Sequence, residues 1–302
     1  MPNPSKNKGT REIMLALPTP PKTKYNYINL GAGVQSSTMA LMATHGEITP
    51  MPNGAIFADT QHESHQTYEW LDWLIDQLAF HLIQVTAGSL VERELHLRVS
   101  TKSGKTVRRT AIPAFTKKPD GSIGILGRKC TSDYKIVPIV KELRKLAKIK
   151  RGQKDTTVTQ WFGISFDEIT RMKAVREPWS QARWPLIERR MTRQDCKKWM
   201  QNHNYPEPPR SACIFCPFHS DVEWERIKKE TPDEFDEVVE FEKKMQAASE
   251  KDEFLISTPY LHPSCQPIDQ VDTRSSEEKS GQMSLDTVWN TIENECEGMC
   301  GV

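Results

Sequence analysis

The 302-residue chain is 37% hydrophobic and 27% charged, with a formal net charge of +1, and no run of eighteen apolar residues interrupts it. That composition excludes a collagenous, a disordered and a membrane-spanning protein and predicts a soluble chain large enough for one α/β unit or a core with a smaller appendage. The even balance hides an asymmetry: residues 98–154 carry seventeen Lys/Arg against three Asp/Glu, and residues 221–302 carry eight against twenty-one. Such blocks are solvated faces that attract each other, or, for the basic one, a stripe for a polyanion such as nucleic acid.

Residues 1–24 mix Pro, Lys and Thr around a short apolar piece, too short for a secretory signal, and are expected to be a flexible tail. The predicted elements then follow in order. A strand over 27–30 runs into Gly31-Ala32-Gly33 and a helix through Ser36-Ser37-Thr38-Met39-Ala40-Leu41-Met42 that stops by Gly46. A second strand over 55–58 leads through Asp59-Thr60 to a helix over 65–78, with Tyr68, Leu71, Trp73, Leu74 and Leu78 as its apolar positions; a third strand covers 81–86.

Residues 98–127 break the rhythm, with turns at Lys102-Ser103-Gly104-Lys105 and Lys118-Pro119-Asp120-Gly121, and read as an exposed basic insertion. A helix over 137–149 with Pro138 in its first turn, a strand over 157–164 and a helix from about Asp167 complete the pattern. Strands alternating with helices predict an α/β fold with a parallel twisted sheet whose post-strand loops gather at one edge. The domain is placed at 25–219, followed over 220–302 by a helical acidic region in which Ser220 caps one helix and Thr231-Pro232 opens another reaching about Ala248.

The turn from the first strand into a helix presents backbone N–H groups to an anion, aided by the helix dipole. Gly31-Ala32-Gly33-Val34-Gln35-Ser36 resembles the Ser-Gly-Gly-x-Asp-Ser loop of the PP-loop (adenine nucleotide alpha hydrolase-like) superfamily, particularly phosphoadenosine phosphosulfate reductases. Gly31, Ala32 and Gln35 stand where Ser, Gly and Asp are usual; the last removes a charge that magnesium-ATP chemistry uses. Phe57-Ala58-Asp59-Thr60, with Glu63 and Thr67, resembles that family's Asp-Thr-Gly-x-x-Phe-Pro-Glu-Thr stretch, and Gly163-Ile164-Ser165-Phe166-Asp167-Glu168-Ile169-Thr170-Arg171 its Gly-Ile-Arg-x-x-Glu-Ser-x-x-Arg. Alone, Asp59 could be a helix cap and Glu168 with Arg171 a surface pair; three matches in order support the family. The resemblance implies an adenine nucleotide, ATP or phosphoadenosine phosphosulfate, held by Gly31, Ala32, Gly33, Gln35, Ser36, Ser37, Asp59, Thr60, Glu168 and Arg171, with Asp59 and Arg171 also catalytic.

Seven cysteines, two of them in Cys213-Ile214-Phe215-Cys216, suit a reducing cytoplasm and a metal site better than disulfides. The segment from Arg128 through Cys130 to Pro138 resembles the Cys-Cys-x-x-Arg-Lys-Val-x-Pro-Leu of reductases that carry a 4Fe–4S cluster, with Lys129 in place of one Cys. The resemblance implies metal ligands Cys130, Cys213 and Cys216, with the fourth from Cys265, Cys296 or Cys300, of which Cys300 is favoured; zinc is the alternative metal. Cys196 is assigned to the core and His219 to the surface. Cys300 is also the candidate nucleophile, echoing a mobile Glu-Cys-Gly-x-His tail in the family.

The functions these features imply are sulfonucleotide reduction or ATP-dependent thiolation beside an iron–sulfur cluster, the latter with a polyanionic acceptor on the basic stripe. The other class is a non-catalytic nucleotide-binding or nucleic-acid-associated protein whose altered loop keeps affinity without turnover. The oligomeric state is not readable.

Overall fold

The computed structural model describes residues 22–274 apart from 109, 119 and 254–256. Its centre is a five-stranded parallel sheet built from β1 (Tyr25–Leu30), β2 (Gly54–Asp59), β3 (Leu82–Thr86), β8 (Val158–Phe162) and β9 (Ser180–Arg183), in the order β3-β2-β1-β8-β9. The three central strands are largely buried, and their alternate side chains pack on the helices of either face. Ile28, Leu30, Ala55, Phe57 and Trp161 face α1 (Val34–Thr44), α2 (His65–Gln77) and α6 (Arg193–Asn202). Tyr27, Ile56, Ala58 and Val158 face α4 (Val137–Leu146) through Ile139 and Leu143.

The parallel α/β fold expected from the sequence is the fold observed. Helix α1 is buried along nearly its whole length, which explains its unbroken run of small and apolar residues. Helix α2 starts where Ser64 accepts a hydrogen bond from the Thr67 N–H, and α4 starts on Pro138. Because β2 and β3 lie to one side of β1 and β8 and β9 to the other, the strand order reverses between β1 and β8. The loops leaving those two strands therefore part and open a crevice at the carboxyl edge.

Residues 98–127 are exposed at their two turns, while the chain between the hairpins is buried. Short hairpins β4 (Leu97–Val99) with β5 (Thr106–Arg108), and β6 (Phe115–Lys117) with β7 (Ile123–Ile125), turn at the two expected places. The chain between them, Ala111, Ile112 and Ala114, is buried in a second core. That core also takes Leu90 from α3 (Leu90–Leu95), Trp224 and Ile227 from α7 (Asp221–Glu230), and Phe235, Val238, Phe241 and Met245 from α8 (Pro232–Glu250). Further on, β10 (Pro259–Tyr260) pairs with β6.

A buried ion pair holds this second core together. Arg108 Nη1 lies 3.5 Å from Glu94 Oε1, both side chains being wholly shielded, and donates to the Met245 carbonyl at 3.2 Å. Glu94 also accepts from the Ala111 and Ile112 N–H groups, and Asp252 accepts from the Arg108 N–H. Burial pushes the Glu94 carboxyl up and the Arg108 guanidinium down.

Other departures are local. The helix expected from Asp167 is a 3-10 turn, Phe166–Arg171, kinked at Glu168. A π-helical turn over Thr131–Ile136 precedes α4, which ends at Leu146, three residues before the expected 149. Strand β9 and the one-turn α5 (Pro185–Glu188) were not expected.

Truncating one member of a buried pair strands the other, so Glu94→Ala should cost about 3–5 kcal/mol in urea unfolding. Glu242 on α8 is also buried and accepts from the Leu261 and Ile268 N–H groups. Burial nevertheless pushes its carboxyl above the ordinary value. The folded state then keeps a proton that the unfolded chain has lost, so this group makes stability fall as pH rises through the window above the ordinary glutamate value. Melting temperatures of Glu242→Gln should show a shallower fall over that window than the parent chain.

Candidate functional site

Strand β1 delivers Gly31-Ala32-Gly33 to the crevice. Ala32 has φ 60°, the left-handed region that favours glycine, and it is fully buried. Gly33 is the extended N-cap of α1 and leaves the first amides of the helix without a side-chain cap. Ser36 closes the loop: its Oγ accepts from the Gly31 N–H at 3.2 Å and donates to the Gly33 carbonyl at 3.3 Å. Residues 32–37 are buried and Gly31 is half-buried. Ser37, expected to touch the nucleotide, instead accepts from the Trp70 indole N–H at 3.0 Å in the interior.

Gly163, at the end of β8, brings the third loop against the first. A Cβ at this position would stand 2.7 Å from both the N and Cα of Ser36, so only glycine permits the approach. Just beyond it, the wholly buried Gln35 donates to Ser165 Oγ and Glu168 Oε2 at 3.5 Å and accepts from Arg193 Nη1 at 3.1 Å. Arg171 is 2.5 Å from the other Glu168 oxygen. Gln35, Glu168 and Arg171 are thus brought together, joined by Arg193, which the sequence reading missed. The available signal was the Thr192/Asp195 capping box, which starts α6 at Arg193.

Asp59 ends β2 at the same edge, and its carboxylate accepts from the Gln61 N–H, the Tyr68 hydroxyl and Gln84 Nε2 at 2.7–2.9 Å. Burial, then the bond to Asp59, pushes the Tyr68 hydroxyl up. Thr60 donates to Glu63 Oε1 at 3.0 Å, and Lys135 Nζ is 3.4 Å from that oxygen. Glu63 Oε2 is buried with no hydrogen-bond partner.

The cysteine segment is fastened onto these loops. Ser211 Oγ donates to the Gly31 carbonyl, Cys213 forms an antiparallel bridge with Glu63, and the Ile214 N–H donates to the His62 carbonyl at 3.0 Å. Cys130, Cys213 and Cys216 line one cavity with Thr60, Arg128 and Lys135. Burial, and then the Glu63 charge, push the Cys213 thiol up. His219, expected on the surface, is buried, with Nε2 3.1 Å from the Cys213 carbonyl oxygen, and burial with the nearby Arg210 charge pushes it down to about 4. Cys196 is in the core as expected.

Three thiols lining one cavity fit a thiolate-bound metal in donor type. The set is not closed: among the described residues no group of three or more His, Cys, Asp or Glu is arranged to hold an ion. Cys296 and Cys300 lie outside the described residues, and Cys265, partly exposed and at φ 53°, does not line the cavity. For magnesium the donors do not fit, since position 35 carries no charge and both Asp59 oxygens already accept hydrogen bonds within the chain.

No protein-family model matches the chain, and no curated protein matches it. Among solved structures, it is similar to phosphoadenylyl-sulfate (PAPS) reductase from Candida auris, determined as a phosphate complex. The two share 14% identity over 61% of this chain and 74% of that one, with a TM-score of 0.36.

Gly163→Ala tests the junction of the loops. The added methyl meets backbone, so the substitution should lower stability by about 1–3 kcal/mol. Calorimetric titration with ATP should show affinity weakened by roughly tenfold or more, equivalent to at least about 1.4 kcal/mol of lost binding. Unchanged binding would mean that nucleotide does not sit at this junction.

Proposed function

We propose that the chain binds an adenine nucleotide at the carboxyl edge of its sheet and carries out sulfur chemistry there, as a phosphoadenosine phosphosulfate reductase-like enzyme. One observation supports the reading: the three loops picked out by sequence leave the same carboxyl edge of the parallel sheet, and the segment bearing Cys213 and Cys216 is hydrogen-bonded to the first two. Amides at the start of α1 hold the anionic tail, helped by the helix dipole. Gly31, Ala32 and Gly33 allow close approach, Ser36 fixes the loop, and Arg171 clamps the anion beside Glu168. Asp59 and Thr60 form the opposite wall.

Two reactions suit this arrangement. In sulfonucleotide reduction a thiolate, assigned to Cys300, attacks the sulfate sulfur; the sulfur–oxygen bond to the nucleotide breaks and the loop amides receive the leaving phosphate oxygen. In the thiolation form, an acceptor oxygen attacks the α-phosphate of ATP, and pyrophosphate departs. Cys213 is a poor nucleophile as placed, because a thiol must ionise to attack and burial opposes that. Cys130, Cys213 and Cys216 would hold a 4Fe–4S cluster or zinc, with Cys300 as fourth ligand only where it is not the attacking thiolate, and the group would lend the site rigidity. No described helix is long and apolar enough to cross a membrane, and the free cysteines suit a reducing cytoplasm.

A second reading, a binding protein without turnover, has its own support. Gln35 replaces the usual carboxylate, and its amide is fully engaged with Ser165, Glu168 and Arg193. Anaerobic incubation with ATP and with phosphoadenosine phosphosulfate in parallel separates the two. With a dithiol added to free sulfite from the S-sulfonated cysteine, the enzyme should form AMP and pyrophosphate from the first, water standing in for the acceptor, or sulfite from the second, whereas binding without either product would favour the regulatory reading.

A further inference from the structure

The basic run 98–154 does not form one face. Arg108 is buried on Glu94, Lys135 pairs with Glu63, and Arg128 lies over the Phe218 ring beside the cysteine cavity. Its last part does gather: Lys148, Lys150, Arg151 and Lys154 are all exposed on the turn leading into β8. That turn is tied to the start of β1, since Gln153 Nε2 donates to Thr157 Oγ1 at 2.7 Å and the Tyr25 N–H donates to the Thr157 carbonyl at 3.1 Å.

At this point the exposed Lys22 and Lys24, with Thr23, Asn26, Asn53 and Arg183, line an open groove of about 610 Å³. Arg183 donates to the Thr49 carbonyl across the groove at 2.7 Å. Two residues away, Glu47 accepts from the Trp199 indole at 3.0 Å. His203 stacks on Trp199 with ring centres 3.9 Å apart, the Tyr205 ring lies beside the pair, 6.0 Å from Trp199 and 6.1 Å from His203 and within 11° of parallel to the latter, and exposed His45 bonds the Tyr205 hydroxyl at 2.8 Å. A band of cations therefore leads, through a polar groove, to a stack of partly exposed rings at the edge of the molecule remote from the phosphate loop.

We propose that this band binds single-stranded nucleic acid, with phosphates along Lys154, Arg151, Lys24 and Lys22 and bases against the His203 and Tyr205 rings. Sequence-tolerant binding of single strands combines these two components, a cationic track and aromatic faces on which unpaired bases stack. A duplex keeps its bases paired and gains only from the cations. Arg183 and Arg189 are already matched by Glu188 and Glu47, so the charge offered to a partner comes from the lysines and Arg151. The inference goes beyond the nucleotide reading and stands on different residues.

Anisotropy of a fluorescein-labelled oligothymidylate tests it. The full chain should bind at low salt, lose affinity linearly in log salt, and bind the strand more tightly than a duplex of equal length. Lys24→Glu combined with Arg151→Glu should weaken binding and flatten the salt dependence, while Lys102→Glu with Lys105→Glu on the β4–β5 turn should leave it unchanged. His203→Ala and Tyr205→Ala should each weaken it by about tenfold while the salt slope stays the same. Absence of binding at low salt overturns the proposal. So does equal affinity for duplex or for phosphatidylserine vesicles, or indifference to the charge reversal. ATP titration of the same variants should match the parent chain, so that failure of this surface and failure of the nucleotide site are separate results.

Discussion

The close approach of Gly163 to the Ser36 backbone is the contact on which the site depends. It exists because β8 returns beside β1 on the side away from β2, so that the two loops leaving β1 and β8 start as neighbours and diverge. Without a side chain at 163 the third loop settles against the first turn of α1. Ser165 and Glu168 then reach Gln35, and the remainder of the crevice is assembled from that point.

The crevice is also where two hydrophobic cores meet. The sheet and its helices fix the three loops, but the cysteine segment belongs to the second core through Ile214 and Phe215. Its position relative to the phosphate loop is set by few bonds, Ser211 to Gly31 and Cys213 to Glu63. Those bonds hold their geometry because the second core is itself pinned by Glu94, whose carboxylate gathers Arg108, Ala111 and Ile112. That carboxylate lies close to the cysteine cavity, since Ala111 also accepts from the Cys130 N–H at 2.9 Å and Ile112 lines the cavity.

The sheet was legible because its strands are apolar and its helices periodic, and the loops because Gly, Ser and Asp stand at strand ends. What was illegible follows from physics that a linear reading does not carry. Strand β9, Ser-Gln-Ala-Arg, has no apolar alternation and exists because Val158 through Trp161 offer it a free edge. Arg108 read as surface because its partner, Glu94, lies fourteen residues upstream with a hairpin turn between. His219 read as surface by its polarity, whereas the cost of burying a neutral imidazole is offset by its bond to the Cys213 carbonyl. The rings of Trp199, His203 and Tyr205 lie outside any charge run and come together only because the chain turns back at the end of α6, where the Tyr205 N–H donates to the Met200 carbonyl.

The substitution of Gln for Asp at position 35 looks different once its surroundings are known. Glu168 lies between Arg171 and the buried Gln35 amide, which also accepts from the Arg193 guanidinium, while the exposed Asp167 carboxylate accepts from the Arg193 backbone N–H. A carboxylate at 35 would place a second negative charge beside Glu168 in a site shielded from water, where like charges repel strongly. The neutral amide avoids that repulsion, and Gln35 meets Glu168 and Arg193 by hydrogen bonding alone.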